Sequence, residues 1–391
     1  MSVYRYHSLQ FSPAPEHRCA AVLHSDVILP ETIHQSSELG AGPSGPRRSP
    51  SPVHKAREAY VINERLDDKG MFARVWIPQG GVILAEHPAL ILPRDVKLES
   101  LAAGLEITGP QHSNPYDALF SRVDHKEIFA LKDCLTKGVG ASKGIFHTNA
   151  LNIELEARGR DMPELQKYQA LFLVTSRCNH RQLIVLLSCG PNAVWRFDPL
   201  TFKLTLSAVR RISPGEEITI SYINPFLPRH LRRAKLQSRW NFVCHCNHCD
   251  VPWTIPGAVV QSDKARQELC TFFDDLPDWA EWCAGNDRRD LIDIHLRAMW
   301  ARDREGLQGF RGGNGAARNV NFKDLAYTKH IDALVMCYGA LGDVEGFRAW
   351  VAKAREAKVA GGPDSAAHVK VLDMWLREPR KFHVWGWKTQ N

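Results

Sequence analysis

The chain has no long apolar run and no hydrophobic block near its amino terminus. No stretch of its 391 residues approaches the roughly 20 consecutive apolar residues that span a bilayer. The first residues carry Arg5 and His7, which makes them a poor secretory signal. We therefore expect an intracellular protein, in the nucleus, the cytoplasm or both, and no membrane partner.

Blocks of Lys and Arg interleaved with aromatic residues are also missing. The net charge of +7 favours acidic partners only weakly, so the sequence does not favour direct nucleic-acid binding. The pair Arg47-Arg48 is too short to act as a localisation signal. The hydrophobic content of 44% suffices for a core, and the length suits one large domain or two ordinary ones.

Cysteine is present in one dense group. Seven of the ten cysteines are scattered singly. The other three fall within six residues, at Cys244, Cys246 and Cys249. In a reducing compartment this spacing indicates metal ligation rather than disulfides. Zn²⁺ prefers four tetrahedral N or S ligands, so one ligand is missing, and His245, His248 or Cys189 are the candidates.

The first part of the ordered chain predicts short strands. Residues 1–57 contain a Ser-, Pro- and Gly-rich stretch, Ser36–Pro52, and are predicted to be a disordered tail. Order is expected from Tyr60. Two units with the same pattern then each predict a strand, a Pro-Gly-containing turn and a returning strand. These units are Ala73–Ile77, Pro78–Gly80 and Val82–Leu84, and Leu204–Ile212, Ser213–Gly215 and Ile218–Tyr222.

Helical spacing of apolar residues marks two other regions. Residues 94–170 are predicted to be mostly helical, and residues 257–391 to form a helical domain of stacked hairpins. Four segments carry the second prediction: Ala265–Phe273, Leu291–Met299, Leu325–Leu341 and Val344–Ala357. Gly342-Asp343 predicts a tight turn between the last two. There is no clear fixed-period repeat.

Two strings carry a family signature. Asn179-His180 and Ser188–Asn192 are separated by seven residues, Arg181–Leu187; without these, the chain reads Asn-His-Ser-Cys-Gly-Pro-Asn. About thirty residues later comes Gly215–Tyr222, and the cysteine group follows. In this order the motifs resemble the SET-domain protein-lysine methyltransferases, most closely the fungal members with a helical carboxyl-terminal region. The Cys/His cluster of the MYND branch is absent from the sequence.

The resemblance implies an α+β, SET-type fold of small β-sheets with a helical insert. It implies a SET domain over residues 58–230, a post-SET zinc segment over 231–256 and a helical domain over 257–391. In such proteins the cysteine of the interrupted motif shares one structural Zn²⁺ with the three post-SET cysteines. That carries over to Cys189.

The same resemblance implies S-adenosylmethionine as methyl donor and a protein lysine, in a histone or another protein, as acceptor. Backbone at Lys69, Gly70 and Met71 would line the cofactor pocket, although Asp68 replaces the first glycine of the family's Gly-x-Gly turn. Asp68–Gly70 is otherwise simply a hairpin turn. The Lys69 ammonium would pair with the methionyl carboxylate.

Five further residues receive roles from the family. The Asn179 side chain would bind the methionyl amine and the His180 backbone the adenine. Trp240 and Phe242 would pack on the adenine and wall the lysine channel, and Tyr222 would be the catalytic tyrosine. The alternatives are an Asn-His pair in the core, ordinary core aromatics and an aromatic at a strand end. Separately, Glu216 and Glu217 are expected to be structural, pairing with Arg210 or Arg211.

The seven inserted residues separate two functional hypotheses. Five of them, Leu183–Leu187, are large aliphatics, and exposing each forgoes roughly 1.5–3 kcal/mol of burial. The run is therefore a gene-model artefact, or a true insertion in an inactive SET-fold scaffold, or a segment buried in a neighbouring groove of an active enzyme, in that order of preference. We expect a methyltransferase, and the alternative is a non-catalytic interaction scaffold.

Overall fold

The structure is a computed structural model, and it covers most of the chain in segments. It describes residues 4–11, 14–31, 33–36, 59–63, 70–94, 98, 114–123, 126–131, 133–134, 141–157, 164–179, 189–250, 257–276, 279–285, 290–310, 326–360 and 366–389.

Twelve strands lie in the described part of the chain. They are β1 (Tyr4–Phe11), β2 (Ala14–His24), β3 (Ile33–Ser36), β4 (Tyr60–Asn63), β5 (Gly70–Ala73), β6 (Val82–Glu86), β7 (Leu90–Pro93), β8 (Leu151–Ala157), β9 (Glu164–Leu171), β10 (Ala193–Asp198), β11 (Lys203–Ala208) and β12 (Glu217–Ile218). They form one six-stranded and two three-stranded sheets, which confirms the prediction of small sheets.

The helices of the described residues fall into two groups. Those within or just after the sheets are α1 (Pro115–Phe120), α2 (Ala141–Asn149) and α3 (Arg229–Trp240). The carboxyl-terminal group is α4 (Ala258–Thr271), α5 (Trp279–Ala284), α6 (Asp290–Glu305), α7 (Ala326–Ala340), α8 (Val344–Ala360) and α9 (Ala366–Arg377). Short 3₁₀ helices occupy Lys126–Ala130, Thr175–Arg177, Pro379–Lys381 and Trp387–Thr389.

The first strands show that the predicted amino-terminal tail is wrong for residues 4–36. The six-stranded sheet has the order β3-β1-β2-β7-β9-β8, so these residues supply half of it. In β2, Cys19, Ala21 and Leu23 face one hydrophobic core, whereas Ala20 and Val22 face another. A strand buried on both faces is a continuous apolar run and lacks the alternation on which a strand prediction depends.

The sequence predicted that the two strand–turn–strand units fold as separate hairpins, and this prediction is wrong. Instead they pair with each other: β5 pairs with β12, and β6 pairs with β11. Ile77 and Ile212 form a bridge between the units. Local turn signals identify β6 and β11, whereas β5 and β12 overlap the predicted strands only at Ala73 and Ile218. The partner of each strand is chosen by long-range packing.

The predicted helical insert of residues 94–170 is too long. α1, α2 and a 3₁₀ helix lie within it, but β8 and β9 occupy its second half. In β8, Ile153, Leu155 and Ala157 are buried in the core at every second position. That alternation is the strand period and overrides the helical interpretation.

The carboxyl-terminal region is helical, as predicted, and α4, α6, α7 and α8 coincide with the four expected segments. α7 and α8 share one core with α6 and α9, and Gly342 makes the left-handed turn between them at φ 65°. The short helix α5 and the last helix α9 were not predicted. Among the described residues, no helix combines the length and apolar character that crossing a membrane requires.

Candidate cofactor site and metal centre

Four buried cysteines meet where residues 244–249 contact the second half of the interrupted motif. The sulfur atoms of Cys189, Cys244, Cys246 and Cys249 all lie within 4.8 Å of one another. The Sγ of Cys189 is 3.4 Å from that of Cys249 and 3.9 Å from that of Cys244. These distances are too long for a disulfide at about 2.05 Å. They are close to the edge of about 3.8 Å that four sulfurs define at 2.3 Å around a tetrahedral Zn²⁺.

The chemistry of this group fits a cation. The three neighbouring thiols, and then burial, raise the pKa of Cys189 well above its usual range. A metal ion bound here would stabilise the Cys189 thiolate and so oppose this shift. Donors also surround the group: the Arg232 guanidinium lies 3.8 Å from the Cys249 Sγ, and the Arg233 Nε donates to the Cys244 carbonyl at 3.2 Å. Such contacts orient metal ligands.

The two histidines considered as a fourth ligand lie elsewhere. His245 is 61% exposed and faces Asp250. His248 is buried, with its Nδ1 3.8 Å from a carboxylate oxygen of Glu305 on α6. Cys189 thus completes the group.

The two flanks of the interruption meet on one strand-like segment. The Ile220 amide donates to the Asn179 carbonyl at 3.2 Å, and the Ala193 amide donates to the Thr219 carbonyl at 3.1 Å. The Asn192 side chain also accepts from the Thr219 amide at 2.8 Å. Residues before and after the break are therefore held side by side. The break itself, together with His180, lies outside the described residues.

Asn179 is held by a buried acid. Its Nδ2 donates to the Glu217 Oε1 at 2.8 Å, and both side chains are buried. Gly70 lies against this pair: a Cβ there would come within 3.1 Å of the Glu217 carboxylate and 3.2 Å of the Asn179 amide nitrogen. Gly70 thus leaves bare backbone beside Asn179. Lys69, like Asp68, falls outside the described part of the chain.

Tyr222 lies beside the same segment. Its hydroxyl donates to the Cys178 carbonyl at 2.8 Å, one residue before Asn179. The Cys178 Sγ is 3.6 Å from the Met71 sulfur. The predicted residues Gly70, Met71, Asn179 and Tyr222 therefore lie within contact of one another or of a shared neighbour.

Trp240 joins this site to the cysteines. Its ring centroid is 5.1 Å from that of Tyr222, at an interplanar angle of 37°, and its Nε1 donates to the Thr148 carbonyl at 2.9 Å. Trp240 belongs to the buried cluster that contains the four cysteines, and Phe242 packs against that cluster. Tyr222 also packs against this cluster, so the aromatic residues connect the cysteines with the tyrosine.

Glu216 pairs with Arg210, as the sequence suggested, at 2.5 Å. Burial alone would raise the pKa of Glu216, but the hydrogen bonds from Arg210, Ser213 and Asn192 lower it. Sequence reasoning missed the separate role of Glu217. The alternation of apolar and polar residues along this strand could have identified it. Ile218 and Ile220 face the core, so Glu217 and Thr219 face the opposite side.

Comparisons with known proteins agree with this geometry. The family model described as "SET domain" matches residues 68–223. The chain is 30% identical over 312 residues to histone-lysine N-methyltransferase set5 of Schizosaccharomyces pombe, which covers 80% of this chain and 81% of that protein. Protein-lysine N-trimethyltransferase SMYD5 of Homo sapiens is 33% identical over 129 residues, or 32% of this chain and 25% of that protein.

One solved structure aligns along most of the chain, the SET domain of LSMT bound to lysine and AdoHcy. The alignment covers 86% of each chain at 11% identity and a TM-score of 0.28. This likeness is too weak to add to the family assignment.

Proposed function

Because the chain belongs to the SET-domain family of protein-lysine methyltransferases, we propose that it transfers a methyl group from S-adenosylmethionine to a lysine side chain of a protein. The observation that supports this most is the convergence of Asn179, Tyr222 and Trp240 across the interrupted motif. These three residues, to which we assign roles in cofactor binding and transfer, lie together although the motif is split.

S-adenosylmethionine supplies a sulfonium-bound methyl group. The Asn179 amide oxygen is a fitting acceptor for the methionyl ammonium, since the amide nitrogen is already bound to Glu217. Bare backbone at Gly70 and Met71 would line the cofactor pocket. Lys69 is assigned to the methionyl carboxylate and the His180 backbone to the adenine. Trp240 and Phe242 would supply the aromatic wall.

Tyr222 orients the attacking amine. A lysine ammonium has a pKa near 10.4 and cannot attack, but a narrow apolar channel disfavours the charged form and lowers that pKa. The hydroxyl of Tyr222, anchored on the Cys178 carbonyl, then aligns the neutral amine for in-line displacement. Such alignment supplies much of the acceleration.

We assign one structural Zn²⁺ to Cys189, Cys244, Cys246 and Cys249. The four thiolates are an all-sulfur set, which is typical of a closed structural site. Such a site links residues 231–256 to the second half of the interrupted motif in a SET domain of residues 58–230, with the helical domain of residues 257–391 beyond it.

The acceptor is a protein lysine, in a histone or in another protein. The relative from Schizosaccharomyces pombe is named a histone-lysine methyltransferase, which favours histones and the nucleus as the first substrate and location to test, before cytoplasmic proteins.

The second candidate function is a non-catalytic SET-fold scaffold. The observation that favours it is the interruption of the cofactor motif by Arg181–Leu187. Sequencing the spliced transcript decides whether these residues exist: their absence from the mature message would remove the reason for this alternative.

The test is transfer of labelled methyl to histones and to a cell lysate by the purified chain, with and without residues 181–187. We expect transfer that Tyr222→Phe impairs with unchanged zinc content. Tyr327→Phe is the control, because that hydroxyl bonds Asp303 on the helical domain. If neither form of the chain transfers methyl, the proposal fails. If Tyr222→Phe is fully active, the assignment of Tyr222 fails.

A further inference from the structure

Glu217 fixes which end of the Asn179 side chain faces it. A carboxylate has only acceptor oxygens, so the group that faces it at 2.8 Å must be the amide nitrogen of Asn179. The Asn179 oxygen therefore has to point away from Glu217. The nitrogen and oxygen atoms of an asparagine amide can be exchanged when they are assigned. A carboxylate partner removes this ambiguity, because only the nitrogen can donate to it.

The surrounding backbone keeps the pair in place. Asn179 bridges to Thr219, and Glu217 pairs in register with Phe72 of β5. Gly70 closes the remaining side, since even a methyl group there would meet the Phe72 ring at 2.9 Å as well as Glu217 and Asn179. Little space is left in which the carboxylate and the amide could rotate apart.

The adjacent acid behaves differently. Glu216 accepts from the Arg210 guanidinium and the Ser213 amide, whereas Glu217 accepts from the side-chain amide of Asn179.

We propose that Glu217 is a positioning residue that holds the Asn179 side chain with its amide oxygen turned towards the methionyl ammonium of S-adenosylmethionine. The inference rests on the proposed function and extends it, since it names the group that sets the selectivity for the amino-acid end of the cofactor. Glu217 acts through Asn179 and does not itself touch the reacting atoms.

Calorimetric titration with two probes tests this role. S-adenosylhomocysteine carries the ammonium, and 5′-methylthioadenosine lacks the amino-acid end. Glu217→Gln should weaken S-adenosylhomocysteine about tenfold, because a charge-assisted hydrogen bond and its fixed orientation are replaced by a neutral pair that can flip. It should leave 5′-methylthioadenosine unchanged. Glu216→Gln, the matched control one residue away, should change neither affinity.

The outcomes separate the two proposals. If the wild-type chain binds neither probe, both the proposed function and this inference are overturned. If the wild-type chain binds both and Glu217→Gln weakens them equally or not at all, only the inference is overturned. Zinc content and melting temperature show whether the variant is folded.

A measurement on the wild-type chain covers the case in which Glu217→Gln does not fold. An analogue of S-adenosylhomocysteine without its amino group should bind at least tenfold more weakly than S-adenosylhomocysteine. Equal binding of the two would overturn the inference without any variant.

Discussion

Replacing Gly306 with alanine tests how the helical domain is seated on the metal centre. Gly306 follows α6 at φ 66°, and its Cα lies against Gly190, the residue after Cys189. A Cβ on Gly306 would overlap the Gly190 Cα and lie 3.1 Å from its carbonyl carbon. These are backbone atoms, which cannot turn aside as a flexible side chain can.

Two costs add at this position. A left-handed conformation costs an alanine roughly 1–2 kcal/mol, and forcing extra volume into a packed contact typically costs about 1–3 kcal/mol. The free energy of unfolding should therefore fall by about 2–5 kcal/mol. Gly215→Ala is the matched control, because Gly215 has φ 78° and no atom within 4 Å of an added Cβ.

Urea denaturation of both variants separates the costs. Gly215→Ala should lose only the conformational part, about 1–2 kcal/mol. Gly306→Ala should lose measurably more, and its zinc content should also fall if the contact supports Cys189. Equal destabilisation by the two variants, within about 0.5 kcal/mol, would refute the close packing of Gly306 on Gly190.

Three further predictions concern the same region. Arg266→Met should cost about 3–5 kcal/mol of unfolding free energy, because it removes the buried guanidinium that pairs with Glu305 and donates to the Cys189 carbonyl. Urea denaturation measures this cost. Lys264→Met, which breaks the exposed pair of Lys264 with Glu268, is the control and should be nearly neutral. Burial lowers the pKa of His295 to about 4. Burial, Arg302 and His295 together lower the pKa of His330 to about 2. Below pH 6.5, the ordinary histidine pKa, the unfolded chain therefore binds more protons than the folded chain. The free energy of unfolding should thus be highest above pH 6.5 and fall by about 2 kcal/mol per histidine by pH 5. His295→Asn should reduce this dependence on pH. An unchanged dependence in His295→Asn would contradict the prediction. Cys189→Ser should lose zinc in mass spectrometry of the metal content while His245→Ala keeps it; the reverse result would exclude the four-cysteine site.

The cysteine group was more predictable than the framework around it. Cys244, Cys246 and Cys249 are close in sequence, and the preference of Zn²⁺ for four ligands indicates a fourth donor. The roles of Tyr222 and Asn179 come from resemblance, which carries residue roles but not contacts, and they stay predictions. Glu217 and Cys178 were missed because their roles depend on which strands lie side by side.

Strand pairing explains the main errors. β2 is buried on both faces, so its apolar run gave no period, and β5 and β6 take partners more than a hundred residues away in β12 and β11. In contrast, α7 and α8 were predicted well because a helix is formed from local hydrogen bonds and a 3.6-residue stripe. Sequence periodicity therefore identifies elements, but tertiary packing selects their partners.

Binding of S-adenosylmethionine to the purified chain tests the central claim most directly. Calorimetry should give one site per chain, and Asn179→Ala should lose this affinity. Gln237→Ala is the control and should keep the affinity, because the Gln237 side chain donates to Asn241 at the exposed end of α3. Zinc content should be the same in all three proteins. No binding at millimolar cofactor by a folded, zinc-loaded chain would contradict the claim that this protein is an S-adenosylmethionine-dependent methyltransferase.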